Sequence, residues 1–236
     1  MSDLINFFAD NASLILDRTW EHLVIAAIGM VIALVLALPA GIVLGHLHKG
    51  SLLAINISNV LRALPSLALI AISLAFIGLS RLNITIALVA LAVPPILTNA
   101  YTAVDGVDPD AVEAARGMGM TDRQVLFGIE LPVSWPLIFA GIRTASVYVI
   151  ATAPLAALAG GGGLGDIIVN QPTYGLEGVI AATIVTVALA FAVDGVLAFV
   201  QRRITPKGLV VSKELHTLVP PAESDIPAER ALSVNP

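Results

Sequence analysis

Three places in this chain carry residue types that could do chemistry. His46 and His48, one residue apart, have the side chains of a metal pair. They stand beside Lys49 with no carboxylate adjacent in the sequence, so they read as interfacial side chains and no metal site is expected. The run Gly160-Gly161-Gly162-Gly163-Leu164-Gly165 contains the G-x-G-x-x-G pattern of a dinucleotide loop. An apolar stretch precedes it where a strand-turn-helix is needed, and no Gly-Lys-Ser/Thr follows, so nucleotide binding is not expected there. Arg143 and Asp194 are single charges inside long apolar runs. No Ser/His/Asp grouping has a nucleophilic spacing, and the absence of cysteine removes disulfides, thiolate ligands and thiol nucleophiles. The chain reads as no enzyme, with no cofactor and no nucleic-acid partner. Its chemistry is electrostatic and mechanical.

The elements that must position these residues are membrane helices. Of 236 residues, 57% are hydrophobic and 12% charged, with a mean hydropathy of +0.92. A soluble domain carries about twice that charged fraction. Crossing the hydrocarbon core takes about 20 apolar residues. The spans expected are 23–44, 52–79, 84–104, 133–159 and 179–200, within a membrane domain over 23–201. Residues 1–22 form an external segment, with a short interfacial helix over Leu4–Leu16 and no basic region of a cleaved signal peptide. Residues 202–236 form a tail, rich in Pro, Ala, Ser and Glu from about Leu218 and partly disordered by composition. The fold class is therefore an all-α integral membrane protein of five spans.

The polar stretch Asp105–Pro132 separates the third and fourth spans. Asp108-Pro109-Asp110 is a helix start, with proline suited to the first turn and an aspartate able to cap free N–H groups. Ala111–Arg116 favours helix, Gly117 and Gly119 break it, and Thr121 or Asp122 opens a second helix that is expected to stop before Pro132. The result is a two-helix knob at a membrane surface that a soluble partner can grip. Lys49, Arg116, Arg123, Arg202, Arg203 and Lys207 lie on the knob's side, while Arg18 and Arg81 lie on the other. The positive-inside bias then places the knob and C-terminus in the cytoplasm and the N-terminus outside.

Within the knob, Glu113-Ala114-Ala115, Gly119, Ile129 and Leu131-Pro132 have the spacing that resembles the EAA motif of membrane subunits of binding-protein-dependent ABC importers. The resemblance implies that residues 105–132 form coupling helices, which sit in a cleft of a separate ATPase subunit and transmit its closure. It makes Glu113, Ala114, Ala115, Gly119, Ile129, Leu131 and Pro132 the coupling residues. Glu113 could pair with the partner, Ala114 and Ala115 would admit a close surface, and Gly119 would serve a tight turn. Arg62-Ala63-Leu64-Pro65-Ser66-Leu67-Ala68, Val107-Asp108-Pro109, Gly117-Met118-Gly119-Met120-Thr121, Glu130-Leu131-Pro132 and Ala140-Gly141-Ile142-Arg143-Thr144-Ala145 look like the quaternary-amine branch of that family. That branch imports glycine betaine, choline, carnitine and related osmoprotectants. The likeness covers about residues 20–202 and departs from the branch's wording at Pro154 and in the four-glycine run. It implies a cell-membrane permease working with ABC ATPase subunits, a second permease subunit (identical or paralogous) and a separate solute-binding protein. An amino-acid permease, such as one for methionine, is the alternative cargo, and a secondary transporter or channel the alternative machine. The lack of an internal repeat fits a pathway completed by a second subunit.

Further candidates lie at depth. Arg143 and Asp194 are each about 10–15 Å from the inner surface at ~1.5 Å per residue. They could form an interhelical ion pair, or each could snorkel to the interface. Arg62 with Pro65, and Pro94-Pro95, mark helix breaks in the second and third spans, either lining a flexing pathway or serving as packing kinks. Asn99, Tyr101 and Tyr148 could face that pathway, and Gly163 and Gly165 could let helices move from a flexible external turn. Quaternary amines favour aromatic faces, but only 5% of residues are aromatic, so selectivity is expected in the binding protein.

Overall fold

The structure is a computed structural model that describes residues 2–49 and 51–205, and every regular element among them is helical. In order these are α1 (Ser2–Asp10), α2 (Ala12–His46), α3 (Ser51–Ala63), α4 (Ser66–Ile77), α5 (Arg81–Asp105), α6 (Pro109–Gly117), α7 (Asp122–Val125), α8 (Leu131–Thr152), α9 (Leu164–Val169) and α10 (Gln171–Ile204). A π-turn over Leu126–Glu130 joins α7 to α8, and a 3₁₀ stretch over Ala153–Ala159 follows α8. The tail from residue 206, including Lys207, lies outside the described residues.

Among the described residues, four segments are long and apolar enough to cross a membrane alone, and α3 and α4 make a fifth as a pair bent by 83°. The contacts at the two ends of the bundle show which way each runs. At one end the last residue of α2, His46, meets Glu130 just before α8, and His48 meets Asp105 at the end of α5. At the other end Leu79, before α5, lies beside Gly160, and Arg18 near the start of α2 contacts Asp166 of α9. Since α2 finishes at the knob end and α5 begins at the glycine end, the bent α3–α4 pair must carry the chain across. It is a broken span, not a loop that returns to its own side. Five crossings result.

The seam between α2 and α5 is built from small residues. Gly29, Ala33, Ala37, Gly41 and Gly45 recur every four positions along α2 and are all buried. A Cβ on Gly41 would sit 2.7 Å from Cβ of Ala100, and one on Gly45 would sit 2.8 Å from the Tyr101 carbonyl oxygen. Gly141 brings α8 equally close to α5, where its Cβ would lie 2.6 Å from the Pro95 oxygen. In lipid, helices associate through such close packing, because the tails are as apolar as leucine.

Four expectations need correction. The helix over Leu4–Leu16 does not form as one piece: the chain turns at Asn11, and residues 12–22 extend the first long helix. Tertiary partners account for the extension, since Ile15 packs with Leu164, Ile167 and Ala182, and Arg18 and Glu21 bind the glycine-rich segment. Pro94-Pro95 does not interrupt α5; both prolines are buried, and α5 is gripped by α2 and α8 on either side of them. Pro132 does not end the second knob helix. The π-turn widens the helix there, with Leu131 donating its N–H to Leu126 rather than to Phe127, and the chain runs on into α8. A wider turn just before a proline relieves the clash its ring makes with the preceding turn.

The fourth concerns the glycine-rich turn, which is packed, not loose. Ala153, Ala156, Ala159, Leu164 and Ile167 are buried, and Glu21 accepts a hydrogen bond from the Gly163 N–H at 3.0 Å. A Cβ on Gly165 would lie 1.9 Å from the Pro154 carbonyl oxygen. Gly165→Ala should therefore cost about 1–3 kcal/mol or more by overpacking. Gly195→Ala, where a Cβ meets nothing within 4 Å, should cost nothing. Thermal melts of the purified variants in detergent check the contrast.

Candidate functional site

The knob between α5 and α8 is folded by its own local signals. The Asp108 side chain accepts the Asp110 N–H at 3.0 Å, with Pro109 in the first turn of α6. At the other end, Gly119 donates to Arg116 O and Met120 donates to Ala115 O, the two bonds of a Schellman turn. Gly119 occupies its left-handed position with φ +85°, and a Cβ there would meet nothing within 4 Å. The glycine is needed for backbone conformation and not for close approach. Thr121 and Gln124 then close a capping box at the start of α7. Val107, Val112, Ala115 and Val125 are buried together, with Met120 and Ile129 packed against them.

That small core divides the coupling residues expected from the sequence. Glu113, Ala114 and Gly119 are exposed. Ala115 is only 2% exposed and Leu131 is buried against α5 and α8 residues, so both build the knob, while Ile129 is half-buried and packs against the same core. Pro132 is half-buried at the turn into α8. The outward apolar groups are others: Met118 at 77% exposure, and Phe127 at 60% with the Arg123 guanidinium 5.9 Å from its ring centre. Met120, Thr121, Arg123, Gln124, Phe127 and Gly128 line an open groove there. In the sequence Met118 belongs only to the Gly117–Thr121 likeness and Phe127 lies outside the EAA spacing, so neither was expected to face a partner.

At depth, α8 and α10 are joined by charge. Arg143 donates from Nε to Asp194 Oδ1 and from Nη2 to Asp194 Oδ2, both at 2.8 Å, the fork-to-carboxylate geometry that favours arginine. Its Nη1 donates to Gln201 Oε1 at 3.0 Å, and Gln201 Nε2 donates in turn to the Pro136 carbonyl at 2.8 Å. Gln201 was not singled out from sequence, where it is one polar residue beside two arginines. The pair is not sealed inside this chain: each side chain is 31% exposed, on a face shared with Thr144, Val147 and Tyr148. A mostly apolar groove between α8 and α10, edged by Thr183, Thr186, Phe191 and Asp194, continues from it.

The remaining candidates are scattered. Arg62, Pro65 and Tyr148 are exposed, the first two at the break between α3 and α4. Asn99 is half-buried and donates to the Pro95 carbonyl at 2.7 Å. Pro94, Pro95, Tyr101, Gly163 and Gly165 are buried in helix packing and face no open space. The two histidines do have carboxylate neighbours, Glu130 and Asp105, which sequence separations of 84 and 57 positions had hidden.

Comparison with known proteins adds the following. The family described as binding-protein-dependent transport system inner membrane component matches residues 37–206. The choline transport system permease protein of Bacillus subtilis is 38% identical over 220 residues, covering 91% of this chain and all of that one. The carnitine transport permease protein of Listeria monocytogenes is 39% identical over 219 residues, covering 91% and 99%. An inward-facing structure of the MetNI methionine ABC transporter superposes with a TM-score of 0.73 at 20% identity, covering 84% of this chain and 99% of that one. The last likeness is one of fold.

The Arg143–Asp194 fork makes a quantitative prediction. Arg143→Ala, Asp194→Ala and the double variant, melted in detergent, should give losses that fall short of additivity by about 1 kcal/mol. Simple addition of the two losses would mean the groups do not stabilise each other.

Proposed function

The chain belongs to the binding-protein-dependent transport system inner membrane component family, and on that premise we propose that it is the permease subunit of an ATP-driven importer of osmoprotectant quaternary amines. The observation that carries the machine is the knob: a self-capped unit with its own core, presenting Met118, Phe127, Glu113 and Ala114 to a partner. The cargo follows the relatives, whose names give choline and carnitine transport at nearly full-length likeness. These favour quaternary amines over methionine.

In this reading the knob seats in a separate ATPase subunit on the cytoplasmic side. Lys49, Arg116, Arg123, Arg202 and Arg203 belong to the knob end of the bundle and Arg18 and Arg81 to the other, which supports an external N-terminus and an internal C-terminus. The membrane domain is residues 23–201, with 105–132 as the coupling segment. A second permease subunit covers the face of α8 and α10. A charge pair at mid-depth is costly against lipid, and 31% exposure of both partners calls for protein or a water-filled path on that side. Tyr148, Thr144 and the exposed Arg62 at the broken span then border the path. ATP-driven closure of the partners shifts the two permeases between outward-open and inward-open packings. A soluble binding protein delivers and selects the solute.

Reconstitution tests this. Proteoliposomes holding this chain, its ATPase and its binding protein should take up glycine betaine or choline only with a hydrolysing ATPase. Methionine uptake would replace the cargo, and uptake with a hydrolysis-dead ATPase would overturn the importer. Gly119→Val, which forces a β-branched residue to φ +85°, should lower solute imported per ATP by about tenfold, within the ~1–3 kcal/mol usual for coupling between sites. Orientation has its own check, since the chain has no native cysteine. An impermeant maleimide should label Gln171→Cys in intact cells and Met118→Cys only after the membrane is opened.

A further inference from the structure

The root of the coupling segment holds a contact that neither the motif nor the family likeness assigns. Glu130, the last residue of the π-turn, is fully buried, at 0% exposure. Its Oε2 lies 2.6 Å from Nδ1 of His46, the last residue of α2, 84 positions away. With a carboxylate as neighbour, the ring donates from Nδ1. The imidazole is itself only 13% exposed. No other hydrogen bond reaches the Glu130 carboxylate from the described residues. Close by, Ser134 of α8 donates to the Ala103 carbonyl of α5 at 2.7 Å, so α2, α5 and α8 converge at this point.

Three features make the contact more than packing. A carboxylate taken wholly out of water is costly unless it is paired, so an apolar residue would be the easier choice here if filling space were all that mattered. The helix beside it is the π-turn, an element with one residue too many for α-register, and such turns occur often at functional sites. Pro132 follows and forbids the ordinary bond back to residue 128, which keeps the wide turn just ahead of it, and Glu130 is the polar contact from that turn to the end of α2.

We propose that His46 and Glu130 are a positioning pair that fixes the register of the π-turn against the end of α2, so that displacement of the knob moves α2 together with α8. The inference rests on the importer reading given above. Without the hydrogen bond the π-turn can slide against the end of α2 and absorb the push locally. The direct link also explains why the first span, remote in sequence from the coupling segment, ends at the knob.

The test uses the complete transporter in proteoliposomes, with radiolabelled glycine betaine and ATP hydrolysis measured in the same vesicles. The double variant His46→Leu/Glu130→Leu replaces the pair by apolar groups and avoids stranding a buried charge. It should melt and bind the ATPase as the parent does, yet import about fivefold less solute per ATP, at the low end of typical coupling. His46→Asn, whose amide N–H replaces the Nδ1 donor, should stay within about twofold of the parent, less than the smallest usual coupling effect. A parental ratio in the double variant overturns the proposal. So does a His46→Asn variant as impaired as the double, or a double variant that no longer binds the ATPase, since either makes the pair purely structural. A parent chain that binds no ATPase would instead sink the importer reading, an outcome distinct from a coupled parent whose variants match it.

Discussion

Close approach of α2 to α5 is the constraint on which the rest of this structure depends. Five small residues at four-residue intervals, Gly29 to Gly45, bring the two helices so near that a single methyl at Gly41 or Gly45 would collide with backbone. In a bilayer there is little hydrophobic gain from joining two apolar helices, so contact area at short range must hold them. The seam runs along the second half of α2, from Gly29 to Gly45, and ends at the knob. There it delivers His46 to Glu130 and His48 to Asp105. At the opposite end the same helix carries Glu21 and Arg18 to Gly163 and Asp166. One continuous helix, with Pro39 inside it, thus ties both ends of the bundle.

The irregular backbone follows the rule that polar groups at depth be satisfied inside the protein. Proline occurs inside α2, α5 and α8, a π-turn precedes α8, and a 3₁₀ stretch and four glycines follow it. Side chains add contacts beside several of these irregularities: Asn99 donates to the Pro95 carbonyl, Gln201 donates to that of Pro136, and Glu21 accepts the Gly163 N–H. The knob satisfies itself by its caps and its Schellman turn, which leaves its outer face free of contacts to the rest of the described chain.

Local signals were legible in the sequence and long-range ones were not. Span number follows from runs of apolar residues, and the start of α6, the glycine turn and the capping box follow from residue types whose preferences act within four positions. The geometry that joins Arg143 to Asp194 was one of two open alternatives, because similar depth on two spans does not say that the spans are neighbours. Which face of the knob is inside depends on Val107 and Val125 at its two ends, so Ala115 looked open to a partner surface when it is core. Pro132 misled because a π-turn makes room for it, and Pro94-Pro95 because proline's preference against helix interiors, about 3 kcal/mol, is outweighed where α2 and α8 pack on both sides. The histidine–carboxylate contacts had no local signature at all.

The distribution of packing says which parts of the molecule can move. α2, α5 and α8 share one buried core, whereas α10, though 34 residues long, buries only Gly178, Ala181, Ala182 and Thr186 in this chain. Its knob-side half is joined to α8 by the polar clasp of Arg143, Asp194 and Gln201, with Leu189, Ala190, Val193 and Leu197 packed alongside. The bent pair α3–α4 is similarly loose, with Arg62 and Pro65 exposed at an 83° break. Elements of this kind, weakly bound to their own chain and carrying polar groups at mid-depth, can exchange one set of partners for another at low cost. A close-packed seam cannot, because it has one arrangement and loses contact in any other. A permease needs both: a rod that does not yield when the knob is pushed, and walls that do. Here the long small-residue stripe of α2 makes the first, and α10 and α3–α4, which bury fewer residues within this chain, make the second.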